Sequence, residues 1–133
     1  EMKKLFVPYE LALLAKEKGF DETCFAAYED FENKELAFRT IFQSNSDFKT
    51  EYSELCKYQC SAPLYQQLVD WLETLHGLEI STKSWKKEGS KIEIVWVYSI
   101  KKLGLPSTFK FDKTFNSKNQ ALNTVLTESF KLI

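Results

Sequence analysis

The sequence predicts an α+β fold, an N-terminal helix and β-hairpin joined to an α-β-β-β-α unit with an antiparallel sheet. Three observations carry that expectation. Residues 61–133 read in order as helix, strand, strand, strand, helix, the apolar period switching from about 3.6 residues to 2 and back. Upstream, 24–31 and 35–42 are two strand-like runs separated by Glu32-Asn33-Lys34, a tight hairpin turn in which Asn tolerates positive φ. At 133 residues, with 44% hydrophobic and 28% charged residues, the chain fits one ordered domain, 1–133. Its 11 Phe, 6 Tyr and 3 Trp bury much area per residue and suit a small aromatic core.

Residues 8–18 read as a short helix. Pro8 suits its start, because an N–H would be unpaired in the first turn anyway, and Gly19 suits the left-handed residue that stops it. Leu11, Leu14 and Ala15 share its apolar face, and Phe20 folds back on them. In 35–42, Leu36, Phe38, Thr40 and Phe42 alternate with Ala37, Arg39 and Ile41. The polar stretch 43–54 reads as a mobile loop with 44–47 as its least structured part, followed by a helical turn over 52–58. Ser61 then reads as the cap of a helix with Pro63 in its first turn. Leu64, Leu68, Trp71, Leu72 and Leu75 form its apolar stripe and Gly77 ends it.

Residues 78–85 make a first strand, and Lys87-Glu88-Gly89-Ser90 turns into the strongest strand of the chain. There Ile92, Ile94, Trp96, Tyr98 and Ile100 line one face, which makes Trp96 a core residue. Glu93, Val95, Val97 and Ser99 line the other. Two valines on a face expected to be wet need a cover, either the N-terminal hairpin or a second copy of the chain, so the expected state is monomer or homodimer. After Gly104-Leu105-Pro106, residues 107–115 read as a third strand with Phe109 and Phe111 inward. Ser117 and Gln120 form a capping box, and Ala121, Leu122, Val125, Leu126 and Phe130 face the sheet.

Lys3 and Lys4 precede only three apolar residues before Pro8, far short of a signal-peptide core, and no run approaches the roughly 18 apolar residues of a membrane span. Three cysteines do not suggest a disulfide framework. These features point to a cytoplasmic protein with no membrane partner. Catalytic signatures are lacking. His76, the only histidine, ends a helix where the macrodipole favours a cation. Cys56 and Cys60 have a zinc-compatible gap, and Cys24 with His76 would complete a four-ligand set, but a chain with a large core has no need of zinc and buried thiols are the simpler reading. No phosphate-binding glycine loop occurs. The expectation is a non-enzyme without metal or cofactor.

Two stretches have a familiar pattern. Leu5-Phe6-Val7-Pro8-Tyr9-Glu10-Leu11-Ala12, continuing through Lys18-Gly19-Phe20-Asp21-Glu22 to Cys24-Phe25, is one. The other is Ser61-Ala62-Pro63-Leu64-Tyr65-Gln66-Gln67 with Trp71-Leu72 and His76-Gly77. Together with the Asn119-Gln120-Ala121-Leu122 helix, they resemble a family of short uncharacterised proteins carried by phages, prophages and mobile elements of Bacteroidetes-type bacteria. The resemblance implies a phage or mobile-element origin and a bacterial host cytosol. Its motifs are caps and core positions, so it implies no chemistry and no functional residue.

Charge gives the remaining lead. Residues 1–80 hold 8 Lys/Arg against 15 Asp/Glu, while 81–133 hold 10 against 4. The candidate binding residues are Lys83, Trp85, Lys86, Lys87, Lys91, Lys101 and Lys102, all from the strand block. The leading function is a non-enzymatic binding protein of phage or mobile-element type, acting on a host protein or sequestering a small anionic ligand. The alternative is a nucleic-acid-binding module using the lysine-rich three-stranded sheet. Helix-strand-strand-strand-helix is the order of double-stranded-RNA-binding domains, but those need a lysine cluster opening the last helix, where this chain has Lys118 alone. A pI of 5.9 also departs from the basic footprint of such modules.

Overall fold

The computed structural model describes residues 2–29, 35–46, 58–87, 93–106 and 113–133. The fold is mixed α+β: helices α1 (Tyr9–Glu17), α2 (Tyr65–His76) and α3 (Lys118–Phe130), and strands β1 (Cys24–Glu29), β2 (Leu36–Gln43), β3 (Tyr58–Ser61), β4 (Leu78–Lys87) and β5 (Glu93–Lys102). The strands form two antiparallel sheets, ordered β2-β1-β3 and β4-β5. Two compact units divide the span, Glu1–Leu68 and Val69–Ile133, with the boundary inside α2. No described helix is long and apolar enough to cross a membrane.

In the first unit, Pro8 caps α1 and the helix closes as the glycine rule requires. Gly19 takes φ +94, its N–H reaches the Lys16 carbonyl, and the Phe20 N–H reaches back to Ala15 at 2.9 Å. That closure turns Phe20 into the core. Val7 is held from two directions: its N–H donates to the Pro63 carbonyl at 3.0 Å, and its own carbonyl accepts from the buried Tyr28 hydroxyl at 2.6 Å. Phe6 sets its ring edge-on to both Phe25 and Phe38, with centroids 5.4 Å away in each case.

Three expectations in this unit are corrected. Tyr58 opens a strand rather than closing a helical turn, while 52–57 lie outside the described residues. Ser61 is the last residue of that strand, opposite Ala27, and does not cap α2, which starts only at Tyr65. The local Ser-Ala-Pro pattern obeys capping rules, but pairing with β1 takes Ser61 first. Of 44–47, read as the least structured part, Asn45 and Ser46 are pinned, and Asp47 lies outside the described residues. The buried Asn45 carboxamide donates to the Phe20 carbonyl at 2.7 Å and accepts from the Ser61 N–H at 2.8 Å, and Asp21 accepts from both the N–H and the hydroxyl of Ser46. The turn at 32–34 lies outside the described residues.

In the second unit, Gly77 at φ +66 ends α2 and turns the chain straight into β4, which pairs with β5 over ten consecutive residues without a bulge. Of the expected third strand, 107–112 lie outside the described residues and 113–114 form no strand, but its expected last residue, Phe115, exchanges both backbone hydrogen bonds with Trp96 on the outer edge of β5. The capping box of α3 forms with a variation: Ser117 accepts from the Gln120 N–H, whereas the Gln120 side chain reaches the N–H of Asn116. All five apolar residues expected inside α3 are buried, together with Ser129.

The placement of Trp96 and Ile94 in the core is corrected, whereas the cover expected over Val95 and Val97 agrees with their burial. Val95, Val97 and Ser99 are buried, whereas Trp96 is half-buried and Ile94 is 62% exposed. Tyr98 is fully buried on the expected face, its hydroxyl donating to Glu128 at 2.6 Å, and Ile92 lies outside the described residues. Alternation identified two faces correctly but not their burial, because the strand is buried on both faces at its middle. In α2, Leu75 completes the stripe by spacing yet is 65% exposed.

Asn45 links two backbone groups distant in sequence, and its loss strands both. Asn45→Ala should destabilise the protein by about 1–3 kcal/mol, the range for burying unpaired polar groups. The midpoint of urea unfolding measures this, and a midpoint equal to that of the parent would show that water replaces the carboxamide at no cost.

Candidate ligand-binding cavity

The unbroken β4–β5 register settles where the candidate lysines lie. Lys83, Trp85, Lys87 and Lys101 occupy one face of the ribbon, and Lys86 and Lys102 the other. On the first face Lys87 pairs with Glu93 in register, and Lys101 makes a 3.2 Å ion pair with Glu79, so acidic residues interrupt the charge. Lys83 sits 5.8 Å over the ring of Trp85, which is about half exposed, and the pair is a local cation–π contact. On the second face Lys102 opposes Leu78, about 26 Å along the ribbon from Lys86 at the usual strand rise. Lys91 lies outside the described residues, as does the side chain of Lys87. The six described positions therefore do not converge on one surface.

Two of them do meet. At the end of the ribbon opposite its turn, Lys101 and Lys102 line a cavity of about 580 Å³. Leu78, Ile100 and Leu132 supply its apolar wall, and His76, Glu128 and Ile133 complete it. The local sequence explains the assembly. Gly77 reverses the chain so that His76 and Leu78 flank one turn, the register brings Leu78 opposite Lys102, and α3 ends at the same place. His76 rests edge-on against Trp71 with centroids 4.7 Å apart, an aromatic contact that fixes the imidazole.

Charge in the cavity is unevenly committed. The Glu128 carboxylate accepts from Tyr98 at one oxygen and meets the Lys113 ammonium at 3.4 Å with the other. Lys101 is tied to Glu79. Lys102 is exposed and has no ion pair among the described residues. The cavity thus offers one unengaged cation beside an apolar wall. Among the described residues no Ser, Thr, Cys or Tyr lines it. Sequence reading found Lys101 and Lys102 but missed the wall and Glu128, which become neighbours only through the register and the packing of α3 on both strands.

The first unit has a smaller cavity, about 480 Å³, beside the C-terminal end of α1. Its polar groups serve the fold: Lys16 donates to the Gln59 carbonyl at 2.6 Å, and Asn45, Asp21 and Ser46 make the bonds described above. Cys24 and Cys60 are buried free thiols, and Cys56 lies outside the described residues. Burial pushes the Cys24 thiol up to about 12, against hydrogen bonding by Gln67, so at neutral pH it is a protonated thiol and not a nucleophilic thiolate. Among the described residues no group of three His, Cys, Asp or Glu is placed to hold a metal ion.

Comparison with protein-family models, curated proteins and solved structures gives no match.

The thiol sets a pH dependence. Cys24 rises from 9.0 to about 12 and Tyr28 from 10.0 to about 12, both chiefly through burial, so folding favours their protonated forms. Their contribution is complete below pH 9 and should be lost as pH rises toward about 12. Thermal midpoints across that window should fall, and Cys24→Ala should fall less steeply than the parent. Parallel slopes for the two proteins would show that the thiol does not titrate there.

Proposed function

We propose that this chain is a non-enzymatic binding protein of phage or mobile-element type, and that it sequesters a small ligand with an anionic head and an apolar body. The phage or mobile-element part rests on the resemblance of the opening segment and of 61–77. One observation carries the ligand part: the unengaged ammonium of Lys102 stands beside the wall formed by Leu78, Ile100 and Leu132 in a cavity of ligand size. Glu128 does not oppose an incoming anion in full, because Lys113 pairs with it and the Tyr98 hydroxyl donates to it. Lys101 adds positive potential although its own contact is with Glu79.

Octanoate and longer fatty carboxylates test this class, with the matching alcohols as neutral controls. Calorimetric titration should show the carboxylates binding and the alcohols binding more weakly. Lys102→Ala should raise the carboxylate Kd roughly tenfold, as for loss of a hydrogen bond to a charged group, and leave the alcohols unaffected. Equal affinity of parent and variant for the carboxylate would remove Lys102 from the site and the reading with it.

The nucleic-acid reading gains no support from the ribbon, whose lysines divide between two faces. Gel shifts with duplex and single-stranded DNA and RNA at about physiological salt should show only weak, strongly salt-dependent association. Submicromolar binding that survives that salt would reverse the ranking.

A further inference from the structure

Past the end of β5 the chain makes a tight turn, Lys102-Leu103-Gly104-Leu105, closed by a 3.1 Å bond from the Leu105 N–H to the Lys102 carbonyl. Gly104 sits at its third position with φ +89, the left-handed value that a type II turn demands there. The turn is anchored from behind by the Leu103 N–H donating to Gly77 at 2.9 Å. Its two leucines face away from the fold, 51% and 56% exposed. Leu75, in the last turn of α2 just before Gly77, and Leu132, on the wall of the cavity that also contains Lys102, are exposed to a similar degree. Four exposed leucines at one end of a small unit are more than scattered surface apolarity.

We propose that this end of the second unit docks on the surface of an anionic lipid bilayer, with Leu103 and Leu105 entering the interface. Charge complementarity selects this occupant. Lys102 begins the turn and Lys131 adjoins Leu132, both exposed. Of the nearby acids, Glu79 is paired with Lys101 and Glu128 is held by Tyr98 and Lys113, which leaves the exposed Glu73 of the last turn of α2 as one carboxylate against these two cations. Shape agrees: a protruding turn with two leucines at its tip has no groove for a helix or strand, but it fits a fluid surface that closes around it. Apolar insertion and lysine–headgroup attraction add together in such contacts, and neither requires a membrane-spanning segment. The expectation of no membrane partner came from the absence of a span, and surface docking is compatible with that absence.

Lys102 and Leu132 belong to the cavity as well, but Leu103, Leu105 and Lys131, which carry the test, do not line it. The full chain should co-sediment with vesicles of equimolar phosphatidylcholine and phosphatidylglycerol and not with phosphatidylcholine alone. Leu103→Ser with Leu105→Ser should reduce the vesicle affinity by about tenfold or more per leucine, and Lys131→Ala by about fivefold. Both variants alter exposed side chains and should keep the thermal midpoint of the parent and its affinity for octanoate. Leu105→Trp gives a second readout, an emission blue shift on adding anionic vesicles. Failure to bind anionic vesicles, equal binding of the double-serine variant, or no blue shift would overturn the proposal. So would a concentration-dependent dimer that the double-serine variant abolishes, since the patch would then be a self-association surface.

Discussion

The second unit depends on one constraint, the continuous ten-residue pairing of β4 with β5. Side chains alternate strictly along such a ladder, and a slip of one residue would exchange every face. With Leu78 opposite Lys102 and Lys87 opposite Glu93, the lysines are dealt to both faces and partly matched by glutamates. The same register carries Lys102 to the far end of the ribbon, beside the end of α2 and the end of α3. The cavity therefore follows from strand pairing and helix length together. Neither lysine would reach it from a ribbon paired otherwise.

Much of the architecture was legible because its signals are local. Gly19 and Gly77 stop helices by a backbone conformation that few other residues adopt readily, and Ser117 caps α3 through its own hydroxyl. Periodicity found the buried face of α3 residue for residue. The errors share a cause, since each involves a competitor distant in sequence. Ser61 satisfied the rules for a cap but is claimed by β1, and Asn45 looked like loop until Phe20 and Ser61 supplied backbone partners. Val95 and Val97 are buried, as their need of a cover implied, whereas the exposure of Ile94 and the partial burial of Trp96 depend on what packs on each part of the ribbon, which alternation within one strand cannot report. The candidate site divides in the same way: two of its lysines were found from composition, whereas the wall needed the register and α3.

Lysine placement on β4 has a structural explanation alongside any functional one. The outer edge of β5 is bonded to Phe115 at Trp96, whereas β4 has β5 as its only strand neighbour among the described residues. Lys83, Lys86 and Lys87 all belong to β4. Charged residues on an edge strand oppose pairing with another sheet, and lysine is the usual choice. Part of the basic bias of residues 81–133 is thus edge protection along β4, and part is the charge gathered around Lys102.

Asn45 also bears on how the protein ages. An asparagine followed by serine is prone to deamidation, in which the next backbone nitrogen attacks the side-chain carboxamide carbon, closes a succinimide and expels ammonia. Here that nitrogen, on Ser46, donates to Asp21 at 2.7 Å, and the carboxamide is held at both ends inside the first unit. Nucleophile and electrophile are locked apart while those bonds persist, so the ring closes only from a locally opened state. The rate at which Asn45 converts to aspartate and isoaspartate on storage is then a chemical clock for opening of the first unit, running in native buffer without denaturant.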